Sequence, residues 1–125
     1  MPNSGPDPGR DPWPSELRLS PDKTRLTVSF EGGARYVLPA EYLRVESPSA
    51  EVQGHAASQK QIVAGKHAVK IAGLEPVGNY AVRILFDDGH DTGLYSWSWL
   101  RDLGRDHDRK WATYLKELRS RKLER

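Results

Sequence analysis

The sequence contains no cysteine among its 125 residues. Without thiols, this chain alone can form no disulfide and can provide no thiolate ligand for a zinc ion or an iron–sulfur cluster. It also contains no apolar run approaching the roughly 20 residues that span a bilayer. Its polar, proline-rich N-terminus lacks the apolar core of a secretory signal. We therefore expect a cytoplasmic protein that does not enter the membrane.

An excess of charge of one sign is also lacking, because 19 Lys and Arg residues are balanced by 17 Asp and Glu residues. The resulting net charge of +2 is far weaker than the basic footprint of a dedicated nucleic-acid binder. Nucleic acid is therefore not an expected partner. Hydrophobic residues make up 37% of the chain, which suffices for the modest core of one small domain.

The usual signatures of catalysis are missing as well. No serine lies in a G-x-S-x-G elbow, and the sequence has neither a phosphate-binding loop nor a dinucleotide fingerprint. A small stand-alone enzyme therefore ranks third among the functions that the sequence supports, behind a binding domain and a metal-binding domain.

Alternating patterns predict strands in the first part of the chain. Residues 1–12 are dominated by Pro, Gly, Asp and Asn, a composition that cannot bury apolar surface and predicts a disordered tail. Residues 15–20, 24–31 and 34–38 then alternate apolar with polar positions. This alternation predicts three antiparallel strands that form a meander with one side facing solvent.

The most distinctive stretch is residues 77–100. Strict alternation over residues 79–87, with β-branched and aromatic side chains, predicts a half-buried central strand. One of its faces would carry Tyr80, Val82, Ile84 and Phe86. Asp88-Gly89 predicts a tight turn, because glycine accepts a positive φ at no steric cost. Residues 92–96 are then expected to return as the second strand of a hairpin.

Two helices complete the predicted fold. One is short, carries Trp97 and Trp99 and is expected to end at Gly104. The other has apolar positions at helical spacing over residues 111–118. We predict an α+β fold, with a mainly antiparallel twisted β-sheet of five or six strands, the short Trp-bearing helix and the C-terminal amphipathic helix. The predicted organisation is a disordered tail over residues 1–12, one domain over 13–118 and a basic tail over 119–125.

The first candidate site is the acidic hairpin turn, which contains Asp87, Asp88, His90 and Asp91. Carboxylates and an imidazole at a loop tip are suitable ligands for zinc or iron. His55 could join them if the long loop of residues 45–66 folded over the hairpin. The metal-binding hypothesis therefore names His90, Asp88, Asp91 and His55. The alternative is an ordinary polar turn in which an aspartate accepts backbone N–H bonds.

The same two segments form a predicted interaction surface. A loop as long as residues 45–66 is usually functional or mobile in a small domain. Together with the hairpin tip, residues 87–91, it would place polar groups on flexible backbone above a rigid sheet. The leading functional hypothesis is therefore a non-catalytic binding or adaptor domain. Its predicted surface comprises Ser47, Ser49, Glu51, Gln53, His55, Asp87 and His90.

Two other groups of residues have simple structural explanations. Five aromatic residues could stack a ligand, although in a domain of this size they are expected to fill the core. They are Tyr80, Tyr95, Trp97, Trp99 and Trp111. Residues 104–125 contain eight Lys or Arg and four Asp or Glu. That excess could dock RNA, an acidic protein or a membrane surface, but a solvated helix face is the simpler interpretation.

Four blocks of the sequence resemble a known family. They are WPSELRLS (13–20), LPAEYLRVESPSAEVQGH (38–55), VGNYAVRILFDDGHDTGLYSWSWL (77–100) and the closing Trp111-x-x-Tyr-Leu. Together they resemble the gamma-butyrobetaine hydroxylase-like N-terminal domain family over residues 13–115. In the carnitine-pathway dioxygenases this domain precedes the catalytic barrel, so the resemblance does not carry the iron and 2-oxoglutarate chemistry to this chain.

The resemblance also implies where a zinc site would lie. The dioxygenases hold a structural zinc through three cysteines, which follow a Leu-Arg pair, and one histidine in the hairpin turn. By position the cysteines fall near Ser47, Ser49 and Val52, and the histidine falls on His90. Since only the histidine is retained, we expect no zinc held in the family's way.

Bacterial members of the family suggest a cellular context. They stand alone or are fused to Mrp-type ATPases that carry iron–sulfur clusters. The resemblance therefore implies an accessory role in iron–sulfur or metal handling, with a protein partner such as an Mrp-type iron–sulfur carrier ATPase. No cofactor is expected, apart from a zinc or iron ion under the metal-binding hypothesis.

Overall fold

A computed structural model of the protein describes residues 13–56 and 59–125. The disordered tail predicted for residues 1–12 lies outside the described residues. Within the described ranges, six strands and four helices follow one another: β1 Pro14–Leu19, β2 Arg25–Phe30, β3 Arg35–Pro39, α1 Ala40–Val45, α2 Ala50–Gln53, β4 Ile71–Val77, β5 Ala81–Phe86, β6 Leu94–Ser96, α3 Trp97–Arg105 and α4 His107–Ser120.

The strands form two antiparallel sheets of three strands each, in the orders β1-β2-β3 and β4-β5-β6. The predicted α+β class, with its Trp-bearing and C-terminal helices, is confirmed. The strands were expected in one sheet, however, and they divide into two. Each sheet is a meander of neighbouring hairpins, and the long connection that carries α1 and α2 separates β3 from β4 along the chain.

The first sheet contributes the alternating face that its sequence predicts. Leu26, Val28 and Phe30 of β2 are all buried. A backbone bond joins the turn before β2 to the second sheet, since the N–H of Ile71 donates to the carbonyl of Lys23 at 2.9 Å. Lys23 has a φ of +66°, which is uncommon for a residue with a side chain.

The central strand is β5, which pairs with β4 on one side and β6 on the other. Val82, Ile84 and Phe86 are buried as the alternation predicts. Tyr80 was expected on the same face but is 54% exposed. It precedes the first paired residue of β5 and belongs to the turn after β4, so the strand's alternation does not reach it.

Both sheets share one hydrophobic core with α1 and α3. Two tyrosines at its centre, Tyr42 and Tyr95, have no exposed surface. Their hydroxyls donate to the carbonyls of Leu103 and Leu43 respectively, each at 2.6 Å. Because both hydroxyls have acceptors, the core contains these polar atoms without the cost of an unsatisfied donor. Burial raises the pKa of both phenols well above the usual value.

Helix α4 packs against residues 62–64 through a second, smaller apolar cluster, in which Tyr114 and Leu118 are buried. The predicted basic tail, residues 119–125, contacts the rest of the fold through its last residue. The guanidinium of Arg125 forms a two-pronged ion pair with Glu41, at 2.7 and 3.0 Å, and lies 5.5 Å from the centre of the Trp111 ring. In the described part of the chain, no helix has the length and hydropathy needed to cross a membrane.

Gly104 was expected to end the Trp-bearing helix, but α3 continues through it to Arg105. The structure gives this glycine a different role. A Cβ at position 104 would lie 2.6 Å from Cδ2 of the Tyr36 ring, closer than real Cβ atoms approach. Gly104 therefore allows β3 and α3 to pack closely.

We predict that Gly104→Ala destabilises the protein by about 1–3 kcal/mol, as overpacking of a core does. Alanine in a helix interior is otherwise favoured over glycine by about 1 kcal/mol, so the sign of the effect is diagnostic. Urea unfolding followed by circular dichroism measures it. In a Tyr36→Ala background the ring is gone, and the same substitution should then be stabilising. Equal or higher stability of Gly104→Ala in the wild-type background would contradict the packing argument.

Candidate functional site

His90 is the centre of the candidate site because the hairpin turn directs it inward. The turn closes through a bond from the N–H of Phe86 to the carbonyl of His90 at 3.0 Å, and Gly89 has the positive φ of +91° predicted for it. His90 follows this turn and is only 6% exposed. Its ring lies beside that of Phe86, with centroids 6.0 Å apart.

Both nitrogens of the His90 ring have partners on the segment that follows α1. Nε2 lies 2.9 Å from Oγ of Ser47 and 3.4 Å from Oγ of Ser49. Nδ1 lies 3.4 Å from a carboxylate oxygen of Glu51. Because an ionised carboxylate can only accept, we assign the proton to Nδ1, which leaves Nε2 to accept from the Ser47 hydroxyl. We call Ser47, Ser49, Glu51 and His90 the histidine cluster.

The surroundings favour the neutral imidazole. Burial lowers the pKa of His90, and the nearby positive charge of Arg44 lowers it further. The carboxylates of Glu51 and Asp88 act in the opposite direction but do not prevail. His90 therefore acts as a neutral hydrogen-bonding residue at physiological pH.

Asp88 forms a second connection between the hairpin and the rest of the fold. Its carboxylate meets Nε of Arg44 at 2.8 Å, Nζ of Lys66 at 2.7 Å and the N–H of His90 at 3.0 Å. Burial alone would raise the pKa of Asp88, but the bonds from Lys66, His90 and Arg44 outweigh it and hold the pKa well below its usual value. The carboxylate is thus ionised and fully engaged.

Three residues to which the sequence patterns gave no functional role complete the site. Arg44 and Lys66 neutralise Asp88. Because both are far from Asp88 along the chain, the sequence did not predict this role. The third is Gly93, where a Cβ would lie 2.6 Å from Oγ of Ser47 and 2.9 Å from the Tyr95 ring. A glycine inside a strand pattern often marks such a close approach, and this signal was present in the sequence.

The contacts from Ser47 through His90 to Glu51 follow the order of a catalytic triad, but Ser47 is not placed to act as a nucleophile. The residue has no exposed surface, and Gly93 packs directly over its hydroxyl. Its carbonyl also accepts a bond from the side chain of Gln53 at 2.8 Å. A substrate cannot reach this hydroxyl, so the cluster serves to hold the segment in place.

The structure brings together three of the four positions that the family resemblance assigns to zinc. Ser47 and Ser49 lie against His90, and Val52 is buried three residues beyond Ser49 on the same side of α2. The side chains themselves do not suit the ion. Structural zinc sites are built from thiolate, imidazole or carboxylate ligands. A neutral serine hydroxyl is not one of these, and valine offers no ligand atom. We conclude that a zinc ion of the family's kind does not fit here.

The other proposed metal ligands, Asp88, Asp91 and His55, differ in their surroundings. Asp88 is held by its two cationic partners, whereas Asp91 is exposed at the hairpin tip. His55 is exposed too, and its backbone N–H bonds to the Gln59 side chain at 2.8 Å. Over residues 13–56 and 59–125, no group of three or more His, Asp or Glu side chains is arranged to hold a metal ion.

The predicted interaction surface divides into an inner and an outer set. Ser47, Ser49 and His90 are buried within the fold. Gln53 is partly buried, and the remaining members face solvent, namely Glu51, His55 and Asp87. The segment that we expected to be irregular is therefore anchored from within, and it contains the short helix α2.

Four of the five aromatic residues fill the core, as the simpler interpretation held, whereas Tyr80 is exposed. Tyr95 and Trp97 are buried, and Trp99 and Trp111 pack against the core as partly buried residues. The indole N–H of Trp97 donates to the carbonyl of Asn79 at 2.8 Å, and that of Trp99 donates to the carbonyl of Glu46 at 3.1 Å. These contacts leave no stacking platform among the four residues.

Comparisons with known proteins agree with the resemblance in the sequence. The family described as gamma-butyrobetaine hydroxylase-like, N-terminal, has a model that matches residues 17–101. Two solution structures determined by NMR are similar in fold, each with a TM-score of 0.81. One is 45% identical and covers 93% of this chain and 91% of its own; the other is 46% identical and covers 97% and 91%.

A crystal structure from Acidithiobacillus ferrooxidans ATCC 23270 is also similar. It is described as a protein with unknown function that belongs to the DUF971 family. It is 38% identical, covers 73% of this chain and 91% of its own, and has a TM-score of 0.61. A search of curated proteins finds no match to the chain.

The buried imidazole predicts a specific dependence of stability on pH. The pKa of His90 is lowered in the folded state, so the unfolded chain binds its proton first as the pH falls. The stabilisation is therefore complete above the unfolded pKa of about 6.5 and is lost as the pH drops below it, by at most about 1.4 kcal/mol per pH unit.

We expect urea unfolding between pH 7.5 and 5.5 to show a steeper loss of stability for the wild type than for His90→Gln. Glutamine can still accept from Ser47 but does not titrate. The window avoids Asp88, because stability from a lowered carboxyl pKa is lost only in more acidic solution. Parallel slopes for the two proteins would contradict the assignment of a neutral, buried His90.

The positions of the cluster predict that a zinc site can be restored. In a tetrahedral site a zinc-bound sulfur and nitrogen are roughly 3.6 Å apart, close to the present separations between the serine oxygens and Nε2 of 2.9 and 3.4 Å. The Ser47→Cys/Ser49→Cys/Val52→Cys variant should bind about one equivalent of zinc in elemental analysis. The wild type, purified without chelator or nickel resin, should hold well under one.

A fourth substitution, His90→Ala, should abolish zinc binding in the triple variant. A triple variant that folds but binds no zinc would show that positions 47, 49 and 52 do not converge on His90. A stoichiometric metal in the wild type that disappears in His90→Ala would instead support the metal-binding hypothesis. It would contradict the conclusion that a zinc ion does not fit this site.

Proposed function

Because the chain belongs to the gamma-butyrobetaine hydroxylase-like N-terminal domain family, we propose that it is a non-catalytic adaptor domain that binds another protein in the cytoplasm. The observation that supports this most directly is the histidine cluster. It fixes the segment after α1 against the hairpin, so that the exposed side chains of both form a surface of fixed shape. A surface that is already ordered loses little conformational entropy when a partner binds.

The outward side chains of this surface are mainly acidic. Glu51 has a side chain that is 63% exposed and accepts a bond from the Thr92 hydroxyl at 2.9 Å, which links it to the hairpin. Asp87 and Asp91 are exposed at the hairpin tip. Asp88 does not add to their charge, because its ion pairs neutralise it. We call Glu51, Asp87 and Asp91 the acidic face, which would favour a partner with a basic patch.

The proposed partner is an Mrp-type iron–sulfur carrier ATPase, and the proposed role is accessory to iron–sulfur or metal handling. Fusions of relatives to such ATPases support this choice, as the sequence resemblance implies. The inaccessible Ser47 hydroxyl favours a binding role over a hydrolytic one. On this proposal the domain contributes recognition, and the chemistry belongs to its partner.

The test is a binding measurement between the full chain and a purified Mrp-type ATPase by biolayer interferometry. We expect saturable binding that weakens by at least about tenfold in Asp87→Lys/Asp91→Lys, because reversed charges on the acidic face would repel a basic patch. The matched control is Glu16→Lys/Glu31→Lys, which makes the same change in net charge at exposed positions in β1 and in the turn after β2.

The control variant should bind like the wild type, and thermal melting should confirm that both variants fold. Binding by neither wild type nor control would count against an Mrp-type partner. Equal weakening in both double variants would show that net charge, rather than the acidic face, determines the interaction.

A further inference from the structure

A groove lies along helix α4, on the side that faces residues 60–62. It has a volume of about 320 Å³ and is lined among others by Lys60, Ile62, Arg109, Lys110, Tyr114 and Arg121. We call it the α4 groove. Its size falls at the small end of the range typical of ligand-binding clefts.

The walls of the α4 groove are predominantly basic. Four cationic side chains line it, together with only two carboxylates, Glu46 and Glu117. Glu46 is 5% exposed and its charge is taken by Lys60 at 2.6 Å. Glu117 lies 3.5 Å from Arg121. Arg109 and Lys110 therefore contribute the excess positive charge among the lining residues. Asp106, which does not line the groove, lies 3.3 Å from Arg109.

The floor of the groove is apolar and fixed in shape. Val45 and Ile62 line it next to Tyr114, and all three belong to the smaller core cluster. The hydroxyl of Tyr114 donates to the carbonyl of Val63 at 2.5 Å, which ties α4 to the neighbouring segment. Burial and the charge of Glu41 raise the pKa of Tyr114 to about 12, so this hydroxyl keeps its proton. The groove is thus formed before any ligand arrives.

The spacing of the charges indicates an extended ligand. Arg109 and Arg121 are both exposed, with side chains 69% and 56% accessible, and they mark the two ends of the groove, one in the first turn of α4 and the other just after its last residue. Twelve residues of helix separate them by roughly 18 Å at about 1.5 Å per residue. That distance matches five or six residues of extended peptide at about 3.3 Å each. A single compact anion could not contact both ends.

We propose that the α4 groove binds an extended acidic segment of a partner protein, with one apolar side chain seated on the floor beside Ile62 and Tyr114. The inference rests on the proposed adaptor function in one respect, since it assumes a protein partner. It concerns a different surface of opposite charge, however. Carboxylates of the bound segment pair with Arg109, Lys110 and Arg121, and the apolar residue fixes the register.

The experiment uses the full chain and a fluorescein-labelled hexapeptide, Glu-Glu-Ile-Glu-Glu-Glu, in a fluorescence polarisation titration at 50 mM salt. We expect saturable binding that weakens by at least about tenfold in Arg109→Glu/Lys110→Glu/Arg121→Glu. The matched control, Arg18→Glu/Arg25→Glu/Arg35→Glu, reverses three exposed arginines on the first sheet and should retain wild-type affinity. A peptide with Ser in place of Ile should bind more weakly than the original.

A measurement on the wild type guards against misfolded variants. Amide chemical shifts in an NMR titration with the peptide should change at residues 60–62 and 109–121. Changes centred on the hairpin tip would overturn the proposal, as would equal weakening in both triple variants or no saturable binding at all. Oligouridine or phosphatidylglycerol vesicles that bind through α4 while the peptide does not would also overturn it. If the wild type binds the ATPase but does not bind the peptide, this inference is overturned and the adaptor function is left standing.

Discussion

The hydrogen bond between Ser47 and His90 is the constraint on which the functional side of the molecule depends. It joins two segments that are more than forty residues apart, one following α1 and the other in the hairpin of the second sheet. The Asp88 ion pairs with Arg44 and Lys66 reinforce the same junction. Since an unpaired buried polar group costs about 1–3 kcal/mol, these partners are strongly held together. The exposed acidic face and the inner histidine cluster are two sides of this one junction.

Local pattern was enough to predict most of the fold. The alternation in β2 and β5 identified their buried faces, and the Asp88-Gly89 pair identified the turn that places His90. What it could not predict depends on contacts between distant segments. The division into two sheets follows from how the chain between β3 and β4 packs. Gly104 was interpreted as a helix stop, because a glycine often ends a helix. The Tyr36 ring that requires a glycine there lies on β3, far away along the chain. Tyr80 fits the strand alternation by sequence but lies outside the paired ladder.

In the candidate site, too, the local sequence identified individual residues but not the contacts between distant segments. His90, Ser47, Ser49 and Glu51 were all named from the sequence, although as members of an exposed surface. The burial of His90, Ser47 and Ser49 was not foreseeable, because the loop's polar composition is typical of solvated backbone and says nothing about inward hydrogen bonds. Arg44 and Lys66 escaped notice for a related reason: an isolated arginine or lysine is ordinarily a surface residue, and only the folded chain brings both to Asp88. The acidic face and the basic α4 groove then give the domain two chemically distinct exteriors.

Where the family resemblance places zinc-binding thiols, Ser47 and Ser49 carry hydroxyls, and this difference determines how the junction responds to its chemical surroundings. A thiolate cage can be dismantled by peroxide, which oxidises sulfur, or by a chelator that strips its ion. A junction of serine, histidine and glutamate is open to neither attack. The junction in this chain is thus held by groups that are insensitive to oxidative stress and to zinc starvation. Its one chemical weakness is acid, which protonates the imidazole.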